Sequence, residues 1–187
     1  MGQMGIGKLG APGVILKRKF RFTLEIFTPC GDIPKHYVKL AARPQLDIDE
    51  TELNFLNGVT WVPGKGRWQP ITVTYVDVPD QEMQGLYSWI ATVYDFTDPV
   101  NLKQSEKSGW AGTALLTMYD GCGYPLEFWL LQSCWPQSIN FGDLDYANSE
   151  EATVELTLRY SEVAYASNCG PAPSPCCSGC APTTTFV

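Results

Sequence analysis

The run from Thr153 to Tyr160 constrains the fold most tightly. Val154, Leu156, Leu158 and Tyr160 alternate without a break with Thr153, Glu155, Thr157 and Arg159. A period of two sends successive side chains to opposite faces of a strand, so this segment has one buried and one solvated face. Such a strand is stable only inside a sheet whose apolar side is covered, which commits the chain to a β-rich core. The same alternation recurs at Phe20, Phe22, Leu24 and Ile26, interleaved with Arg21, Thr23 and Glu25. It recurs again at Ile71, Val73 and Tyr75, interleaved with Thr72 and Thr74. Further strands are expected at residues 36–42, 112–119 and 125–132, the last two split by the turn Asp120-Gly121-Cys122-Gly123. Residues 136–146 read as irregular.

One segment changes period. Met83, Leu86, Trp89, Ile90 and Val93 fall on a single helical face, and Asp80 stands where an N-cap belongs. A helix is expected over residues 80–97, ending before Asp98-Pro99 because the residue before a proline disfavours helical geometry. The expectation is mainly β: a β-sandwich or barrel with one flanking helix.

Residues 45–69 stand apart. An acidic run, Asp47-Ile48-Asp49-Glu50-Thr51-Glu52, leads to the hairpin signal Asn57-Gly58. A Pro63-Gly64-Lys65 loop then sits between Trp61 and Trp68, read as an exposed turn with the lysine at its tip. This is a projecting hairpin suited to touching another molecule. Its contact candidates are Asp47, Asp49, Glu50, Glu52, Phe55, Asn57, Gly58, Trp61, Pro63, Gly64, Lys65, Arg67 and Trp68, with Lys17, Arg18 and Lys19 from the basic segment before the first strand.

Charge supports contact between copies. The net charge is −7 over 187 residues, which argues against a general grip on nucleic acid. Up to Arg43, however, bases dominate: Lys8, Lys17, Arg18, Lys19, Arg21, Lys35, Lys39 and Arg43 against Glu25 and Asp32. The remainder is strongly acidic, an asymmetry that suits head-to-tail self-association. The flanks, residues 1–16 and 168–187, are aperiodic and rich in Gly, Pro and Cys, and read as arms around one domain at 17–167. No apolar stretch reaches the roughly 18 residues a membrane span needs. The N-terminus lacks the apolar core of a signal peptide, so synthesis in the cytosol is expected.

Catalytic motifs fail on context. Gly5-Ile6-Gly7-Lys8-Leu9-Gly10 matches a dinucleotide fingerprint in letters but lies between neither a strand nor a helix. Gly64-Lys65 is followed by Gly66 where a phosphate loop has Ser or Thr. His36 is the one histidine, and no nucleophile–base arrangement accompanies it. Carboxylate pairs such as Asp143 with Asp145 read as solvated loop charges. Cys169, Cys176, Cys177 and Cys180 are four thiols that could ligate zinc, but Cys-x6-Cys-Cys-x2-Cys is not a pair of Cys-x2-Cys knuckles. Zinc, disulfides formed after release and free thiols all stay open. No enzyme activity and no cofactor is expected.

In order along residues 15–166, the pieces resemble the tail tube proteins of contractile-tailed, myovirus-type bacteriophages. The resemblance rests on the acidic segment with Asn54-Phe55-Leu56-Asn57-Gly58, then Pro63-Gly64-Lys65 and Trp68-Gln69-Pro70-Ile71-Thr72-Val73. It continues through the helix carrying Leu86 and Trp89, Leu126-Glu127-Phe128-Trp129, Trp135-Pro136, Phe141-Gly142-Asp143-Leu144-Asp145 and a last strand Glu155–Tyr160. It implies a structural virion protein assembled as a homo-hexamer, its rings stacked into a hollow tube for DNA ejection. A sheath protein would lie outside, baseplate and tail terminator proteins at the ends, and tape measure protein and genomic DNA transiently in the lumen. The subunit would not bind a membrane by itself, and its place would be the phage tail, assembled in the host cytoplasm. The hairpin would contact the neighbouring subunit and ring. An acidic lumen wall lets a polyanion slide, and Asp120, Glu127, Asp143 and Glu155 are its candidates. The Cys-rich extension beyond Ser167 departs from the family pattern. A close variant is the inner tube of a phage-derived contractile injection system. A reading of another class is a carbohydrate-binding β-sandwich with Trp61 and Trp68 as stacking surfaces.

Overall fold

The computed structural model describes residues 17–96, 107–147 and 149–167. Both expected arms, the Gly5–Gly10 motif, Asp98-Pro99 and the four C-terminal cysteines therefore lie outside the described residues. The described chain is mainly β, as the alternating runs require. The elements are β1 (Phe22–Thr28), β2 (Gly31–Ile33), a 3-10 turn (Lys35–Tyr37), β3 (Val38–Ala41), β4 (Leu46–Phe55), β5 (Gly58–Trp68) and β6 (Ile71–Val76). They continue with α1 (Gln81–Val93), the one-turn helix α2 (Lys107–Trp110), β7 (Gly112–Tyr119), β8 (Pro125–Asn140), β9 (Thr153–Arg159) and β10 (Glu162–Ser167).

All pairings are antiparallel, and the strand order is β2-β1-β7-β8-β9-β6-β3, with β10 on the other edge of β8. The sheet folds over itself because β8 turns a corner. Its first half pairs with β7 and β10, and from Trp135 onward it pairs with β9. The corner is Ser133, whose φ of 53° lies in the left-handed region that a serine seldom occupies. Sandwich corners are made in this way, by one strand passing between sheets through a local irregularity. The expectation of irregular structure over 136–146 is therefore corrected: the strand runs to Asn140. Pro136 does not end the strand, because this half of β8 pairs with β9 alone among the described residues, and a proline is tolerated on an unpaired edge. A second correction is β10, which follows what was expected to be the last strand.

Inner faces of both halves meet in one core. Leu24 and Ile26 of β1, Leu116 of β7 and Leu131 of β8 pack in a single cluster with Ile71, Val73 and Tyr75 of β6 and Leu156 and Leu158 of β9. Helix α1 closes one end of this core with Met83, Leu86, Trp89 and Ile90, the stripe legible in the sequence. Asp80 caps it, accepting from the Gln81 amide at 2.6 Å. The helix ends at Val93, four residues short of the expected 97. Its apolar stripe stops there, Tyr94 and Phe96 are exposed, and helical residues without packing have little to hold them.

The Trp89 indole donates to the Trp110 carbonyl at 2.7 Å and lies against Gly112. A Cβ on Gly112 would meet the Phe27 carbonyl oxygen at 2.8 Å and the indole at 3.3 Å, so the strand start must be bare for the helix to seat. Gly112→Ala is expected to destabilise the domain by about 1–3 kcal/mol through overpacking, read as a lowered thermal midpoint. An unchanged midpoint would show that helix and strand are not in close contact there.

Candidate assembly interface

The hairpin β4–β5 is a two-stranded ribbon that belongs to no larger sheet among the described residues. Every residue of β4 is exposed, and in β5 all but the final Trp68 are. Its turn is centred on Leu56 and Asn57, between the paired Phe55 and Gly58, one residue earlier than the Asn57-Gly58 expectation. Residues 63–66 are not a second turn, which corrects the reading of Lys65 as a loop tip. They lie inside β5, where Ile48 pairs with Gly66 and Glu50 with Pro63, so Gly64 and Lys65 together oppose Asp49. This is a bulge, and it needs a small residue: a Cβ on Gly64 would stand 3.0 Å from the Asp49 carbonyl oxygen.

Register sorts the ribbon into two faces. One carries Leu46, Ile48, Glu50 and Glu52 with Trp61, Val59 and Trp68. The other carries Leu53 and Phe55 with Val62, and an ion pair of Arg67 with Asp49 at 3.2 Å. Large apolar side chains are thus exposed on both faces, with Trp61 57% and Phe55 65% accessible and Leu56 fully so at the tip. An isolated hairpin is at best marginally stable in water, and apolar surface on both sides of one has no use in a solitary domain.

The base of this ribbon is anchored. Gln69 donates its backbone N–H to the Gln45 carbonyl at 2.9 Å and its side-chain amide to Asp47 at 2.7 Å. Tyr160 donates to the Gln69 carbonyl at 2.6 Å. Burial pushes the Tyr160 phenol up to about 12, so it remains a donor throughout the neutral range. Trp68 packs on Tyr160 with ring centroids 6.3 Å apart and reaches the core. Trp68 is therefore an anchor of the hairpin's root, which corrects its expected place among the outward contacts.

The second anchor is Glu127, at the end of the core away from α1. Its carboxylate is fully buried and accepts from Lys17, from Arg43 Nη2 at 2.7 Å and from the Trp129 indole at 3.3 Å. Arg43, in the connection from β3 to the hairpin, also lies 5.8 Å above the Trp129 ring, which packs on Tyr165. Burial alone would raise the Glu127 carboxyl. The Lys17 and Trp129 hydrogen bonds and the Arg43 and Lys17 charges outweigh it and hold the group below the usual carboxylate range. One buried carboxylate so ties the segment before β1 and the root of the hairpin to β8.

Two of the four candidates for an acidic wall are corrected by this geometry. Glu127 faces inward and is neutralised by its partners. Asp120 is buried, its Oδ1 accepting the Cys122 and Tyr124 amides of the β7–β8 turn. Asp143 and Glu155 are exposed, one in the β8–β9 connection and the other on the outer face of β9. The four share no face. Of the basic candidates, Lys17 points its ammonium at Glu127, while Arg18 and Lys19 are exposed. His36 packs against Tyr37, the rings tilted by 53° with centroids 4.1 Å apart. No group of three or more metal-ligating side chains occurs among the described residues. Arg43, Gln45, Gln69, Tyr160 and Trp129, which set the root of the hairpin, were not among the contact candidates read from the sequence. Their partners lie up to 91 residues away, and no local pattern announces them.

The fold as a whole is shared with chains of solved assemblies. A chain of the anti-feeding prophage tube-terminating cap superposes with a TM-score of 0.67 at 18% identity, covering 88% of this chain and 99% of that one. The chain has the fold of contractile-system tube proteins. A chain of the sheath–tube complex of the extracellular contractile injection system PVC, in its extended state, gives 0.65 at 17% identity over the same shares. A chain of the six-fold symmetrised anti-feeding prophage baseplate gives 0.57 at 13%, covering 78% of this chain and 91% of that one. No family model matches the sequence, and comparison with curated proteins gives no match. The tube-protein fold is thus carried by topology at an identity too low for sequence comparison to register.

Proposed function

We propose that this protein is the tube subunit of a contractile particle: a non-enzymatic building block that closes into hexameric rings and stacks into a hollow conduit inside a sheath. The observation that carries the reading is the hairpin, a rigidly rooted ribbon with exposed apolar side chains on both faces. A ribbon of that kind is stabilised when it is sandwiched between surfaces of other copies, where both faces become buried together. The solved chains of similar fold support the assembly, since they come from a tube cap, a sheath–tube complex and a six-fold baseplate. Sheath, baseplate and terminator proteins are then its natural partners, and an extracellular particle its destination.

The sheath–tube complex belongs to a contractile injection system, which favours the injection-system tube over the phage tail that the sequence resemblance brought forward. The phage reading differs in cargo, DNA in place of protein, and co-purification with a DNA-filled capsid is the outcome that would select it. The general test is negative-stain microscopy of the purified protein at rising concentration. Six-fold rings or hollow tubes are expected. A chain that stays monomeric at high concentration would overturn the proposal.

A further inference from the structure

We infer that successive rings join through the loop after β8: Leu144 and Tyr146 of one copy seat on the Phe20–Arg21–Tyr124 patch of the next. The inference rests on the tube reading above and names the contact that would extend the tube.

The loop is unusual in what it exposes. Leu144 is 91% accessible and Tyr146 fully so, with Asp143 and Asp145 alternating between them. Nevertheless the loop is shaped. Phe141 stacks nearly parallel on Tyr87 of α1, with centroids 6.1 Å apart. Gly142 adopts a φ of 73° where a Cβ would meet the Thr153 carbonyl oxygen at 2.9 Å. Its amide donates to Asn140 Oδ1 at 3.1 Å, and the Ala147 amide donates to Asp145 Oδ1 at 3.0 Å. Two large apolar side chains are thus held out in water by a pre-formed turn, an arrangement of low ordering cost on binding.

The complementary patch lies at the other end of the molecule. Phe20 is 74% exposed, and Arg21 covers part of its ring at 5.3 Å. The Tyr119 amide donates to the Arg21 carbonyl at 2.9 Å, and the Arg21 guanidinium stands 3.0 Å from where a Gly121 Cβ would be. Tyr124, 40% exposed, closes the same turn by accepting from the Asp120 amide at 2.9 Å. Arg18 and Lys19 adjoin. The patch therefore offers aromatic surface under Arg21, with the exposed Arg18 and Lys19 just before it in the chain, to a plug of two apolar side chains flanked by two carboxylates. Asp120, in the turn beside Tyr124, is buried and turned into its own loop.

Direction makes this an axial contact. Phe20, Arg21 and Tyr124 flank the end of β1, β7 and β8 where Phe22 pairs with Met118 and Met118 with Glu127. The plug is braced on α1, which seats on Gly112 at the opposite end of the same strands. Patches facing opposite ways propagate an open stack, whereas a closed ring needs contacts that turn about a centre.

The test compares Asp143→Lys and, separately, Leu144→Ser/Tyr146→Ser with the unaltered protein by sedimentation and microscopy. Both variants alter exposed side chains, so thermal midpoints should match. Both are expected to form rings while the sedimenting tube fraction falls at least about tenfold. Adding Arg18→Glu/Lys19→Glu to the lysine variant should restore most of it. Tubes undiminished in the variants, rings lost along with tubes, or no recovery in the charge-swapped protein would each overturn the inference while the tube reading stood. An unaltered protein that forms neither rings nor tubes would overturn the tube reading itself.

Discussion

Replacing residues 47–67 with Asn-Gly is expected to abolish assembly while leaving a folded monomer. The two parts of this result have separate causes. The core loses nothing, because all of β4 and all of β5 except Trp68 are exposed. Leu46 and Trp68 already pair across the ribbon, so a two-residue turn can close the gap, and keeping Trp68 preserves its packing on Tyr160. The thermal midpoint should therefore move by only a few degrees, the shift expected of about 1 kcal/mol or less in a domain of this size. Assembly should fail because the excised residues include the exposed Phe55, Leu56 and Trp61, and a buried tryptophan anchor alone can carry about 2 kcal/mol or more of an interface. Light scattering at a concentration where the unaltered protein assembles gives the readout, with circular dichroism as the check on folding. Normal tubes from the excised protein would remove the hairpin from the interface.

How far the sequence could be read depended on the range of the physics involved. Strand faces and the helix stripe are local and periodic, so β1, β6, β7, β9 and α1 follow from spacing alone. Asp80 as a cap is equally local. What failed was decided elsewhere in the fold. Pro136 breaks a strand paired on both sides but not one paired on a single edge, and the pairing of β8 is invisible from its own residues. Lys65 looks like a turn tip because Pro-Gly usually turns, whereas here Gly64 makes a bulge whose need is set by Asp49 across the ribbon. The hairpin itself was legible because its composition is anomalous. Its root was not: Arg43 and Glu127 are 84 residues apart and meet only once the second sheet has folded over the first. Glu127 was accordingly misread as a surface acid, since burial of a carboxylate depends on two cations that no spacing rule connects to it.

Glu127 is where the second large effect is expected. Glu127→Ala leaves Lys17 and Arg43 at the mouth of the core without their shared anion and leaves the Trp129 indole without its acceptor. Removing one partner of a buried pair costs about 3–5 kcal/mol. Both cations here are roughly half exposed and can turn to water, so about 2–3 kcal/mol is the better expectation. The loss should be local first. With Arg43 released, the Gln69 amide at the hairpin's root should exchange with deuterium faster while core strands stay protected. Acid should act through the same group. The folded carboxyl is held below its ordinary value, so its contribution is present above the unfolded value of about 4.3 and is lost as pH falls through the lower folded one. Stability should therefore be level in this contribution from neutral pH to about 5 and decline below about 4, while Glu127→Gln, which cannot titrate, should show a shallower acid limb. If the glutamine variant follows the unaltered protein through the acid range and the alanine variant keeps its midpoint, Glu127 does not hold the hairpin. Assembly would then depend on the ribbon's own contacts alone.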